Sequence, residues 1–121
     1  MNPPTQVLIV EDDKAIAQAF CDYLSWQGFR CVSCSNGEEA LEILTTTPVS
    51  LVILDLKMPV MSGEEFLQIK ARHPDFRDTP VIVVTAQQSP AKPGPGVSRV
   101  FRKPLDMEDL LMELRQFCQA A

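Results

Sequence analysis

Ser50-Leu51-Val52-Ile53-Leu54-Asp55-Leu56-Lys57-Met58-Pro59 is the stretch whose reading decides the fold. Successive apolar residues without helical spacing, closed by an acid, read as a strand buried on both faces that delivers a carboxylate to its carboxyl end. Val7–Val10 runs into Glu11-Asp12-Asp13 in the same way, and Val81–Val84 runs into Thr85. In a parallel sheet such ends emerge on one edge, so the groups that follow them should meet there. Crowded carboxylates repel one another, and a divalent cation is the usual compensation.

Outward from that stretch, strand patterns fall at about residues 6–11, 30–34, 50–55, 80–85 and 98–102, with helical patterns between them. Asp13 is placed to cap a first helix carrying Ile16, Phe20 and Leu24 on one face, with Gly28 as its stop. Asn36-Gly37-Glu38-Glu39 has capping-box spacing ahead of Ala40, Ile43 and Leu44. Ser62-Gly63-Glu64-Glu65 repeats it ahead of Phe66, Leu67 and Ile69. Asp106 is placed to cap a last helix, where Met107, Leu110, Leu111, Leu114, Phe117 and Cys118 form the clearest apolar stripe of the chain. Alternating strands and helices predict an α/β fold with a mainly parallel sheet. The run Gln87-Gln88-Ser89-Pro90-Ala91-Lys92-Pro93-Gly94-Pro95-Gly96 predicts an irregular or shortened crossover where a fourth helix would otherwise lie.

The chain has 121 residues, 45% of them hydrophobic and 22% charged, which suits one domain with a real core. Its formal net charge of -5 argues against binding a nucleic-acid backbone or an anionic membrane through bulk charge. No apolar run approaches a membrane span and no basic-then-apolar leader is seen, so a cytoplasmic location is expected; Met1 suggests a natural start, of a single-domain regulator or of a piece of a hybrid kinase or multidomain regulator. Cys31-Val32-Ser33-Cys34 is formally a CxxC, but residues three apart on a strand point to opposite faces, so its cysteines read as packing residues. His73, at an apparent helix end, reads as a solvated or dipole-compensating residue rather than a ligand.

Glu11, Asp12, Asp55, Thr85 and Lys103 are thus expected to converge. Hard oxygen donors in a small cluster suit magnesium, a lysine supplies a point charge for a phosphate, and a hydroxyl supplies a donor. A carboxylate can also be a nucleophile and form an aspartyl phosphate, and Asp55, central among the others, is the best placed. Singly, each of these residues has an ordinary reading as a cap, a solvated cation or a β-branched strand residue. Agreement at four strand ends together favours the functional one.

The segments Val7–Asp13, LVILDLKMPVMSG over 51–63, PVIVVTA over 80–86 and FRKPL over 101–105 resemble the response-regulator receiver domains of two-component phosphorelay signalling. The resemblance covers almost the whole chain, so residues 1–121 are expected to form one receiver domain. It implies a three-layer, flavodoxin-like α/β fold with a five-stranded parallel sheet of order 2-1-3-4-5. Asp55 then resembles the phosphoacceptor, and Asp12 and Asp55 the direct Mg2+ ligands. Glu11 would act through water, and the Lys57 backbone carbonyl would complete the metal site. Thr85 resembles the switch hydroxyl and Lys103 the phosphate-contacting lysine. The implied donor is a sensor histidine kinase or a histidine phosphotransfer protein, and the implied output is an altered surface for a downstream protein or effector domain. Such a domain takes part in its own phosphotransfer and autodephosphorylation without being a conventional enzyme. The last helix could also support a weak homodimer, although core packing is the default use of its stripe.

Two features depart from that family. The aromatic usually found three residues before the lysine is replaced by Val100, while Phe101 should face the other side of its strand. The altered fourth crossover changes the usual output face. A phosphorylation-independent interaction module is therefore the alternative. Lys57 and Gln87 stand two residues after Asp55 and Thr85, positions that in the family border the water hydrolysing the aspartyl phosphate; a cation at Lys57 could shield the phosphate.

Overall fold

The computed structural model describes residues 6–55, 61–85, 96–103 and 105–120, with the backbone alone for 117–120. Its elements run β1 Gln6–Val10, α1 Lys14–Trp26, β2 Arg30–Cys34, α2 Gly37–Thr46, β3 Leu51–Asp55, α3 Gly63–Arg72, β4 Val81–Thr85, β5 Val97–Arg102 and α4 Met107–Ala120. All strand pairs are parallel, and the order is β2-β1-β3-β4-β5, as the resemblance implies.

The apolar runs become the three central strands because only there are both faces covered. Val7–Val10, Leu51–Leu54 and Val81–Val84 are buried throughout, whereas edge strands β2 and β5 carry only exposed and half-buried residues. Alternation along the strands separates two cores. Leu8, Val10, Val52, Leu54, Val81 and Val83 pack under α2 and α3. Val7, Ile9, Leu51, Ile53, Ile82 and Val84 pack under α1 and α4. The result is a helix–sheet–helix sandwich.

Caps set the helix starts as the sequence predicts. The Asp13 carboxylate accepts the Ala15 and Ile16 N–H groups, Asn36 Oδ1 accepts Glu39 N–H, and Ser62 Oγ accepts Glu65 N–H. Asp106 Oδ1 accepts Glu108 N–H at 2.9 Å at the head of α4. At the other end of α1, Gly28 adopts φ +94° with nothing near a would-be Cβ, so backbone conformation alone calls for glycine.

Two apolar residues of the helical patterns lie outside the core. Ile16 is exposed because Ala17 and Leu24 face the sheet instead, with Phe20 and Cys21 on the flank. Ile69 is exposed because the stripe of α3 runs through Phe66, Leu67 and Lys70. The structure thus buries a lysine in preference to an isoleucine. The Lys70 ammonium, with the residue 1% exposed, donates to the Arg77 carbonyl at 3.2 Å. Burial pulls its pKa below the ordinary lysine value, and the Asp78 charge offsets part of that.

A buried charge held by one carbonyl is a net cost. Lys70→Met is therefore expected to raise the melting temperature by a few degrees, on the order of 1 kcal/mol. Because the folded-state pKa lies below the unfolded one, the unfolded chain holds the extra proton between them. The cost of Lys70 is full at neutral pH and disappears as pH rises toward the ordinary lysine range. Melts at neutral and alkaline pH should show the gap between variant and parent closing with pH. A variant less stable than the parent at neutral pH would show that the Arg77 bond outweighs desolvation.

His73 ends α3, stacks on Phe76 with ring centroids 3.9 Å apart, and accepts the Asp75 N–H at Nδ1. It organises the turn into β4. The proline-rich stretch of the fourth crossover lies outside the described residues apart from Gly96, and so does the side chain of Cys118.

Candidate functional site

The carboxyl edge of the sheet gathers the groups the sequence places there. Glu11 follows β1, and its N–H donates to the Cys34 carbonyl at 3.0 Å, continuing the β1–β2 ladder by one residue. Asp13 then caps α1, so Glu11 and Asp12 are pinned between a strand end and a helix start. Asp55 is the last residue of β3, in register with Val84. Carboxylate oxygens of Glu11, Asp12 and Asp55 all lie within 4.8 Å of one another. Glu11 is buried, Asp55 has 11% of its side chain exposed and Asp12 is exposed, so the cluster opens to solvent on one side.

Lys103 reaches this cluster from β5. Its Nζ is 3.4 Å from Asp55 Oδ2, and its backbone N–H donates to the Thr85 carbonyl at 2.7 Å. Thr85 is buried at the end of β4 and is joined to Lys103 through that backbone bond. A cavity of about 20 Å³ beneath the acids is lined by Glu11, Asp55, Lys103, Ile16 and Phe20, enough for one water. Ile16 borders it, which accounts for its position away from the main core.

Electrostatics single out Glu11. Its carboxyl is pushed up to about 8, first by burial, then by a hydrogen bond with Asp55 and by the charges of Asp55 and Asp12; Lys103 pulls the other way. Without an ion, the site relieves its crowding by keeping a proton on Glu11 at neutral pH. Three hard oxygen donors on an open rim fit a small divalent cation.

Every expected site residue within the described segments therefore lies at this edge. The Lys57 carbonyl and Gln87 lie outside those segments. Val100 packs toward the α2–α3 core and Phe101 toward the α1–α4 core, so the aromatic does face the opposite side from the usual position. Arg99 covers the Phe101 ring at 5.0 Å and pairs with Glu113 of α4 at 3.1 Å. The sequence reading missed one side-chain pair: Cys21 and Cys31, ten residues apart, place their sulfurs 2.8 Å from each other. α1 and β2 each carry a cysteine in the sequence, but the distance between the two is set by how the helix packs on the strand.

The fold and this rim define a class: a doubly wound α/β domain with a metal-capable acidic pocket and a lysine against its central carboxylate. The chain belongs to the family described as the response regulator receiver domain, whose profile matches residues 7–115. It is 29% identical over 116 residues to the response regulator MprA of Mycolicibacterium vanbaalenii, covering 93% of this chain and 49% of that protein. The chain thus spans about half the length of that regulator. The signal receiver domain of a signal transduction histidine kinase from Syntrophus aciditrophicus superimposes with a TM-score of 0.89 at 27% identity, covering 97% of this chain and 92% of the other. The receiver domain of sensor histidine kinase PA1611 from Pseudomonas aeruginosa, solved with magnesium coordinated in its active-site cleft, gives a TM-score of 0.86. It is 19% identical, covers 95% of this chain and 98% of the other, and bears on the fold alone. A receiver domain is a signalling module of two-component systems rather than a conventional enzyme. Among the described residues, no helix is long and apolar enough to cross a membrane.

Proposed function

We propose that this chain is a phosphorelay receiver that accepts a phosphoryl group on Asp55 in a Mg2+-dependent reaction. The donor is a sensor histidine kinase or a histidine phosphotransfer protein. The observation that carries this reading is the meeting of Glu11, Asp12 and Asp55 at one rim, with Lys103 3.4 Å from Asp55. An Asp55 oxygen attacks phosphorus, the donor's P–N bond breaks, and the imidazole leaves with the bonding pair. Asp12 and Asp55 would hold the ion directly, Glu11 through water, and the Lys57 carbonyl would complete the set. Bound there, magnesium supplies charge neutralisation for the transferring group. Lys103 adds a fixed positive charge beside the acceptor, and the Thr85 hydroxyl is the donor drawn toward the new phosphate.

Phosphorylation would add roughly one to two negative charges and three strong acceptor oxygens at Asp55. Pulling Thr85 and Lys103 inward would alter the surface shown to a downstream protein or effector domain. Moving a population from mostly off to mostly on takes about 5 kcal/mol of differential interaction, which a few charge-assisted hydrogen bonds in a half-buried site can supply. A cytoplasmic location suits such a partner set.

Val100 favours a second reading, a receiver-like interaction module that does not use phosphate, because β5 lacks the aromatic on the side where the family places it. One experiment separates the two. Intact-protein mass spectrometry after acetyl phosphate treatment should show the mass of one added phosphoryl group with magnesium present and unmodified protein with chelator. No magnesium-dependent adduct would leave the interaction module as the function.

A further inference from the structure

We propose that Cys21 and Cys31 form a reversible disulfide that staples helix α1 to edge strand β2, a redox-controlled modification independent of the Asp55 site. Their sulfurs lie 2.8 Å apart, and both thiols are half-buried on the α1 side of the sheet. A covalent S–S bond is about 2.05 Å long, so closing it moves the sulfurs by less than about an ångström. The backbone has already made the approach. Cys31 sits in register with Val7 on the face that α1 covers. The chain reverses between the two elements through Gly28, where Gly28 N–H donates to the Ser25 carbonyl and Phe29 N–H to the Leu24 carbonyl. That fixed turn supplies the proximity an intramolecular reaction needs.

The partner choice is specific. Cys34, the other half of the CxxC spacing, belongs to the opposite face of β2 and points its Sγ to the Asn36 carbonyl. The redox pair is therefore not the one the sequence motif suggests.

The oxidant is a peroxide. A Cys21 thiolate attacks one peroxide oxygen, the O–O bond breaks, and hydroxide leaves and is protonated to water, giving a sulfenic acid. Cys31 sulfur, losing its proton, then attacks Cys21 sulfur; the S–O bond breaks and a second water leaves. Two thiols are oxidised by two electrons, and the peroxide is reduced to two waters. Burial, and then the neighbouring Cys21 sulfur, raise the Cys31 thiol above its ordinary value, and the two steps balance the same way whichever sulfur attacks first. A small dithiol reverses the bond by exchange.

The test uses the folded chain treated with equimolar hydrogen peroxide. Trypsin cuts at Arg30 between Cys21 and Cys31 but leaves Cys31 and Cys34 on one peptide, so linkage is mapped on Cys34→Ser. The expected result is a monomer lighter by two hydrogen atoms, with the Cys21 and Cys31 peptides joined until dithiothreitol is added. The oxidised protein should melt on the order of 5–10 °C above its own reduced form, which needs no cysteine variant to interpret. Cys21→Ser and Cys31→Ser should each abolish the mass loss. A cross-link to Cys118, a disulfide-linked dimer, over-oxidation of Cys21 without a cross-link, or equal melting temperatures would each overturn the proposal.

Discussion

Asp55→Asn is expected to abolish magnesium-dependent labelling by acetyl phosphate while leaving the fold intact. An amide has no anionic oxygen to attack phosphorus, so the adduct should fall by more than about a hundredfold. The fold should survive because Asp55 is an electrostatic burden on its neighbours. Its charge and hydrogen bond both help to push Glu11 up to about 8. The attraction to Lys103 is lost, but that side chain is 42% exposed, and a pair that open to water contributes about 1 kcal/mol at most. Relief of the crowding around Glu11 is of similar or greater size, so the variant should melt at or a few degrees above the parent. Two outcomes would count against the site. Undiminished labelling would move the acceptor to another carboxylate. A collapsed melting temperature would mean that Asp55 holds the structure together and is not maintained at the expense of stability.

How far the sequence alone could see follows from the same contrast between fold and site. The three central strands were legible because burial on both faces leaves unbroken apolar runs, and Asp55 was legible because it terminates one of them. Parallel pairing then forces Glu11, Asp12, Asp55, Thr85 and Lys103 to one edge, so the site follows from the strand ends alone. Helix faces were less secure. Ile16 and Ile69 are apolar yet exposed, and Lys70 is charged yet buried, because a long side chain can reach a carbonyl that no spacing rule anticipates. The Cys21–Cys31 approach was hidden for a different reason. It depends on how α1 leans on β2 across the Gly28 turn, a tertiary distance that neither residue's pattern encodes. The CxxC spacing drew attention to Cys34, whose side chain belongs to the other face.

Magnesium should raise the melting temperature by an amount that monovalent salt cannot match. At a concentration one hundred times the dissociation constant, an ion that binds only the folded chain stabilises it by about 2.7 kcal/mol. For a chain of this size that is on the order of 8–12 °C, reversed by chelator. Sodium at equal ionic strength should do little. Screening acts on exposed charges, and the crowding here centres on Glu11, which is 6% exposed and whose proton already offsets part of the repulsion. A divalent ion acts differently, because it replaces that proton and satisfies several oxygens at once. The effect belongs to particular side chains. Asp12→Asn removes an exposed donor without disturbing Asp13, which caps α1. It should therefore leave the ion-free melting temperature near that of the parent while shrinking the magnesium shift to a few degrees or less, equivalent to a 10- to 100-fold loss of affinity at about 1.4 kcal/mol per tenfold. Labelling of that variant should recover in part as magnesium is raised, whereas Asp55→Asn should recover at no concentration. A full magnesium shift in Asp12→Asn would place the ion away from this rim, and the acidic cluster would then be a crowded surface without a metal to justify it.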